Sequence, residues 1–216
     1  MAATVENPRP SALEQSWWLR APAVLVAPRP VFVALRDDSE EAAENRQEPL
    51  IALLCFASIA AVLGTSDART ILNEGGSSLI VPIWAFVGGA FYALAVYWAG
   101  GGLLFGAARR LGGVGSFRRA RNLVALASAP LALTLFTLWP IRIAIYGDEL
   151  FRTWRADLGH GDRIFTGLFY GAFAWSALLL LIGVRAVHGW SWARSTAAVA
   201  LAASLPALIV LATRFH

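Results

Sequence analysis

The chain has 216 residues, of which 57% are hydrophobic and only 15% charged, whereas soluble domains carry roughly 25% charged residues. Its 18 basic residues are all arginine, and they stand in short clusters between long apolar runs. That placement excludes the basic face of a nucleic-acid-binding domain and follows instead the positive-inside pattern of a multi-pass membrane protein.

The first 48 residues mix Arg9, Arg20, Arg29, Arg36 and Arg46 with eight acids and many prolines. They lack the n-, h- and c-regions of a cleaved signal peptide, so the amino terminus is expected to be retained. Within 11–36, Trp17, Trp18, Leu25, Phe32 and Leu35 alternate with Arg20, Arg29 and Arg36. This predicts an interfacial segment lying on the membrane, because Pro22, Pro28, Arg29 and Pro30 break any helix of spanning length. Residues 36–48 read as a short acidic, soluble linker, with a helix as the alternative.

Five apolar runs follow, at about 49–66, 79–107, 122–146, 164–187 and 195–213, each near the 20 or so residues that cross a bilayer. Pro49 is expected to open the first, where its missing N–H costs nothing. Cys55, the single cysteine, falls inside that run and reads as a small buried residue, with no disulfide partner in the chain. The expected fold class is an all-α membrane protein, a bundle of about five transmembrane helices behind an interfacial amphipathic amino-terminal segment. Its domains are a cytoplasmic region 1–48 and a membrane domain 49–216.

Segment 108–121 holds Arg109, Arg110, Arg118, Arg119 and Arg121 and no acid, which predicts that it is cytoplasmic. Alternation then places the amino terminus inside, 65–78 and 147–163 outside, 188–194 inside and the carboxyl terminus outside. The five guanidiniums form a candidate surface facing anionic lipid or a partner protein. Each would contribute about 1 kcal/mol against an anionic leaflet.

Small residues predict where helices meet. Gly102 and Gly106 form one GxxxG, Gly167 and Gly171 another, and Ala85, Gly89 and Ala93 repeat at a spacing of four, the spacing that lets backbones approach in lipid. Packing within the chain is the first expectation, and homo-oligomers or other membrane proteins are the alternative partners. Tryptophans near span ends, Trp84, Trp98, Trp139, Trp154, Trp190 and Trp192, read as interfacial anchors.

Candidate chemistry is sparse. The spans carry no Asp or Glu between their ends, and Arg142 is expected to snorkel to the external interface. His160, His188 and His216 have no metal-ligand spacing. Among the external residues, Asp148, Glu149, Asp157, His160 and Asp162 are the one cluster that could hold a metal. Arg152, Arg155 and Arg163 beside them favour a solvated, mutually compensating face. GxSxG, P-loop and HExxH motifs are missing. No catalytic residue, cofactor or metal site is therefore expected.

The stretch GGVGSFRRARNLVALASAPLAL, residues 112–133, resembles the central segment of bacterial Yip1-domain proteins. The likeness is carried by a glycine turn of Gly112, Gly113 and Gly115, then Ser116-Phe117, the basic pair Arg118-Arg119, and a Ser128-Ala129-Pro130 break. Residues 175–201 and the segment Ala27-Pro28-Arg29-Pro30-Val31-Phe32 are similar to the family's last helical pair and its prelude. The resemblance covers most of residues 27–205. It implies a five-helix membrane domain with a cytoplasmic amino terminus. It also implies a non-enzymatic role, organising the membrane or serving a larger complex such as an exporter. A small transporter or lipid-translocating permease, built on breaks at Pro82, Pro130, Pro140 and Pro206, is the alternative. The Asp-Leu-Tyr-Gly signature of the eukaryotic members that engage Rab-type GTPases does not occur here. The arginine- and alanine-rich usage suggests a bacterial source, and so the inner membrane.

Overall fold

A computed structural model of the chain describes residues 17–64, 80–147, 150 and 159–214. Among them there is no strand. Two short helices come first, α1 (Trp17–Ala23) and α2 (Pro28–Ala34). The first span is α3 (Glu40–Leu63). The second joins α4 (Ile80–Ala95) through a π-turn at Val96–Gly100 to α5 (Gly101–Arg110). The third is divided into α6 (Phe117–Ala127), α7 (Ala129–Phe136) and α8 (Leu138–Tyr146). The fourth and fifth are α9 (Gly159–His188) and α10 (Trp192–Arg214). Five helical segments are thus long and apolar enough to cross a membrane.

The third span is the most buried of the five. It packs on α3 along one side and on α9 along the other. On the outside, α4 leans on α3, while α10 closes against α5 and α9. Two breaks bend the central span. Pro130 and Pro140 have no N–H to give to the carbonyl four residues back, and the chain turns just before each, at Ser128 and Thr137. Their hydroxyls donate to the carbonyls of Ala125 at 2.6 Å and Leu133 at 2.9 Å, which also accept the backbone amides of Ser128 and Thr137.

The structure differs from the sequence expectation at the amino-terminal side in two ways. First, the acidic stretch is not a linker. Ser39 caps a helix by accepting from the Ala42 amide at 3.3 Å, Glu40 and Glu41 occupy its positive end, and it runs through Pro49 without a stop. The proline frees only the carbonyl of Asn45, an exposed residue that water can serve. Secondly, part of the prelude's apolar side is turned into the bundle. Trp17, Val24, Phe32 and Leu35 are buried in the same core as Leu50, Leu123 and Leu179, leaving Trp18, Leu19 and Val26 exposed. The prolines do prevent a sixth span: each of the two helices has seven residues.

Close packing falls on glycines, only some of which the sequence pattern picks out. A Cβ at Gly89 would lie 2.9 Å from the Ile59 Cα, so α3 and α4 touch backbone to backbone there. Ala85 and Ala93, one turn to either side, are buried in the same seam. Gly101 meets the Arg121 Cα in the same way at 3.0 Å, and Gly183 lies against Phe32 and Leu123. Gly102 approaches the Phe117 ring. Around Gly106, Gly167 and Gly171, however, nothing among the described residues comes within 4 Å of a Cβ position. Among the described residues these three do not bring helices together.

Candidate functional site

The arginine-rich end of the bundle is organised by one tight turn. Helix α5 ends in a Schellman motif, with the Gly112 amide on the Arg109 carbonyl at 3.0 Å and the Gly113 amide on the Ala108 carbonyl at 2.8 Å. Gly112 has φ of +74°, a left-handed conformation that favours glycine. Gly113 needs its missing side chain for another reason: a Cβ would sit 3.0 Å from the Trp190 ring. Gly115 lies near the His188 ring. Ser116 then caps α6 by accepting from the Arg119 amide at 3.0 Å, and Phe117 packs against Phe105 and Trp98. The resemblance motif therefore marks a structural corner, closed on its far side by Arg194. That guanidinium bonds the Leu111 carbonyl and lies over Trp190, which itself stacks on His188.

Asp38 is the hub beside this corner. Arg46, whose side chain is fully buried, reaches one Asp38 oxygen at 3.1 Å and the Asp37 carbonyl at 2.6 Å. Arg118 bonds the same oxygen at 3.3 Å and Glu40 at 2.9 Å. Arg119 lies 3.8 Å from the other oxygen and donates to the Leu35 and Arg36 carbonyls at 3.1 and 2.8 Å. Arg36 continues the chain of contacts to the Ala186 carbonyl on α9, at 3.1 Å from its Nε. Partial burial works against the Asp38 charge, but the Ser116 hydroxyl and the guanidiniums of Arg119, Arg118 and Arg46 outweigh it. Together they hold the carboxyl below its ordinary value. Asp37 is lowered too, chiefly by the Ser39 amide, 3.1 Å away.

Arg121 is held differently. Its guanidinium carbon lies 4.2 Å from the Trp98 ring centre and 4.8 Å from those of Tyr97 and Phe117. The π-turn places Tyr97 and Trp98 there, and Gly101 lets α5 approach closely enough for the cage to close.

Two of the five arginines expected to face lipid or a partner are paired within the chain: Arg118 and Arg119 dock the prelude onto α6. Arg121 is ringed by the aromatic side chains of Tyr97, Trp98 and Phe117. Only Arg109 and Arg110 are exposed, in the last turn of α5, where cations complement the helix dipole. The sequence reading missed Asp38 and Arg46. The signal available was a dense acidic run facing a dense basic one, which could have been read as a matched pair rather than as two solvated segments.

At the opposite end Arg142 does not snorkel. It is buried, lies over Trp139 at 5.2 Å, and is ion-paired with Asp162, its Nε 3.0 Å from the carboxylate. Asp162 is thereby committed to a side-chain partner. Among the described residues no three His, Cys, Asp or Glu side chains gather closely enough to hold a metal. Asp148, Glu149, Asp157 and His216 lie outside the described residues, as do the side chain of His160 and Trp154.

No curated protein and no solved structure matches the chain. The Yip1 domain matches residues 23–214, nearly the whole of it. That region opens inside α1, takes in the Asp38 hub and the glycine corner, and runs to the end of α10. A five-helix bundle whose prelude is locked to its arginine corner belongs, by that match, to the Yip1 domain family.

Proposed function

We propose that this membrane protein works without catalysis, as an accessory subunit that organises a larger complex in the bacterial inner membrane. Its amino terminus and arginine corner are cytoplasmic and its carboxyl terminus external. One observation carries the reading: Asp38 and the Arg142–Asp162 pair are committed to holding the fold, while much of α9 and α10 is left uncovered. Ile164, Leu168, Trp175 and Leu178 are exposed on α9, and Leu205, Leu208 and Ile209 on the outer half of α10. Proton-coupled transport and acid–base chemistry need titratable groups free to change state. Asp162 and Arg142 hold each other, and Asp38 is shared by three arginines. A partner helix approaching α9 would find no side chain at Gly167 and Gly171, which in lipid allows close contact. Other membrane chains or a second copy are the partners this surface suits.

The test is extraction into mild detergent and identification of co-purifying chains, comparing wild type with Gly167→Leu/Gly171→Leu. The expected result is a stoichiometric partner chain or homo-oligomer that is lost in the variant, with the melting temperature of the isolated subunit within about 2 °C of wild type, since a Cβ at either glycine would meet nothing among the described residues. A wild type that stays monomeric and alone in several mild detergents contradicts the reading. So does proton-gradient-driven uptake by the pure protein in liposomes.

A further inference from the structure

We infer that the cavity between α3 and the π-turn of the second span is a binding site for one anionic phospholipid, its phosphate on Arg121 and an acyl chain along the apolar walls. The cavity has a volume of about 450 Å³, within the range of sites that take small organic ligands. Ile51, Leu54 and Leu94 form its apolar sides, and Arg121 and Asn122 form its polar end with Arg118 and Gln47. Ile51, Leu94 and Trp98 are themselves partly exposed, so the cavity opens sideways on a face that would lie against lipid.

Charge complementarity identifies the occupant. No Asp or Glu lines the cavity. Arg118 is neutralised by Asp38 and Glu40, but Arg121 has no carboxylate or carbonyl partner among the described residues, and its Nε is buried without an acceptor. The three rings around it stabilise the charge of a desolvated cation. They accept none of its N–H donors in a directed hydrogen bond. A phosphodiester accepts two of them in paired geometry. The π-turn that shapes this end is of a kind often found at functional sites. An uncharged chain would fill the walls and leave the guanidinium unanswered, and free phosphate would leave the walls empty.

Cys55 lines the same cavity and is the chain's one cysteine, so the protein carries its own reporter. The experiment follows the rate of Cys55 alkylation by N-ethylmaleimide in purified, delipidated protein. Dioleoylphosphatidylglycerol, dioleoylphosphatidylcholine or inorganic phosphate is added, and retained lipid is counted in parallel by native mass spectrometry. Phosphatidylglycerol is expected to slow alkylation at least about fivefold and to be retained one per chain, with little effect from the other two. Arg121→Gln should abolish both effects, and Arg109→Gln/Arg110→Gln should preserve them. Since Arg121 also packs against three rings, Ala90→Trp is the second variant. It fills the cavity from the α4 wall, leaves every arginine in place, and should abolish lipid retention by itself. Equal protection by phosphatidylcholine, protection by inorganic phosphate alone, or retention that survives Ala90→Trp overturns the assignment.

Discussion

Replacing Asp38 by Asn is expected to cost about 3 kcal/mol, lowering the melting temperature in detergent by roughly 6–12 °C. The substitution keeps the shape of the side chain and removes its charge, leaving Arg46, Arg118 and Arg119 crowded around a neutral amide. Arg46 suffers most, because its side chain is fully buried and its Nε already lacks a partner. Removing one member of a buried ion pair costs far more than losing a surface one, since the remaining charge stays desolvated. The effect has a predicted pH dependence. The Asp38 carboxyl is held below its ordinary value, so its contribution is fully present above about pH 4 and is lost as the pH falls through the lowered folded value. Wild type and Asp38→Asn should therefore differ by a constant amount from pH 5 to pH 8 and converge in stronger acid. Thermal melts across that range, followed by intrinsic tryptophan fluorescence, check both parts. Equal melting of the two proteins at pH 7 would remove Asp38 from the role assigned to it.

At the other end, Asp162→Asn should destabilise by a similar amount, about 3 kcal/mol, by stranding Arg142 in the third span. Arg142 is buried against Trp139. The comparison that isolates the cause is the double variant Arg142→Leu/Asp162→Leu. Replacing both charges by apolar groups is often neutral for a buried pair, so the double variant should melt within a few degrees of wild type while each single variant falls well below it. Scanning calorimetry on the three proteins decides the matter. A silent Asp162→Asn would mean that Arg142 reaches water after all.

How much of this was legible in the sequence depended on range. The five spans come from composition, and composition acts locally: runs of Leu, Ala, Val and Phe near 20 residues long admit few readings in a chain this apolar. The glycine corner was legible through the family resemblance, as a turn of Gly112, Gly113 and Gly115 before Ser116; of the three, Gly112 has the positive φ that a Schellman stop uses. Failures came where a long-range partner overrode a local signal. Pro49 looked like a helix start, yet a capped acidic turn and the pinned Arg46 begin the helix earlier. Trp17, Phe32 and Leu35 looked like lipid anchors, yet Leu123 and Gly183, distant in sequence, form the surface they bury against. A GxxxG likewise predicts that two backbones can meet, without saying which. Gly89 meets Ile59 within the chain, while Gly106, Gly167 and Gly171 meet nothing among the described residues. The arginine loop failed for the same reason. Its charge matched the positive-inside pattern, and nothing local revealed that Asp38, eighty residues away, consumes it.

At Arg118 and Arg119 the arginine corner is a device of the fold, while Arg109 and Arg110 present a free surface. The direct test is the melting temperature, in one detergent at pH 7, of Arg118→Gln/Arg119→Gln beside Arg109→Gln/Arg110→Gln, two variants of identical charge change. The first should melt about 6 °C or more below wild type, because it empties the Asp38 hub and releases the Leu35 and Arg36 carbonyls. The second should melt within about 2 °C of wild type, since both residues are exposed. Equal losses in the two, or a larger loss in the second, would contradict the account.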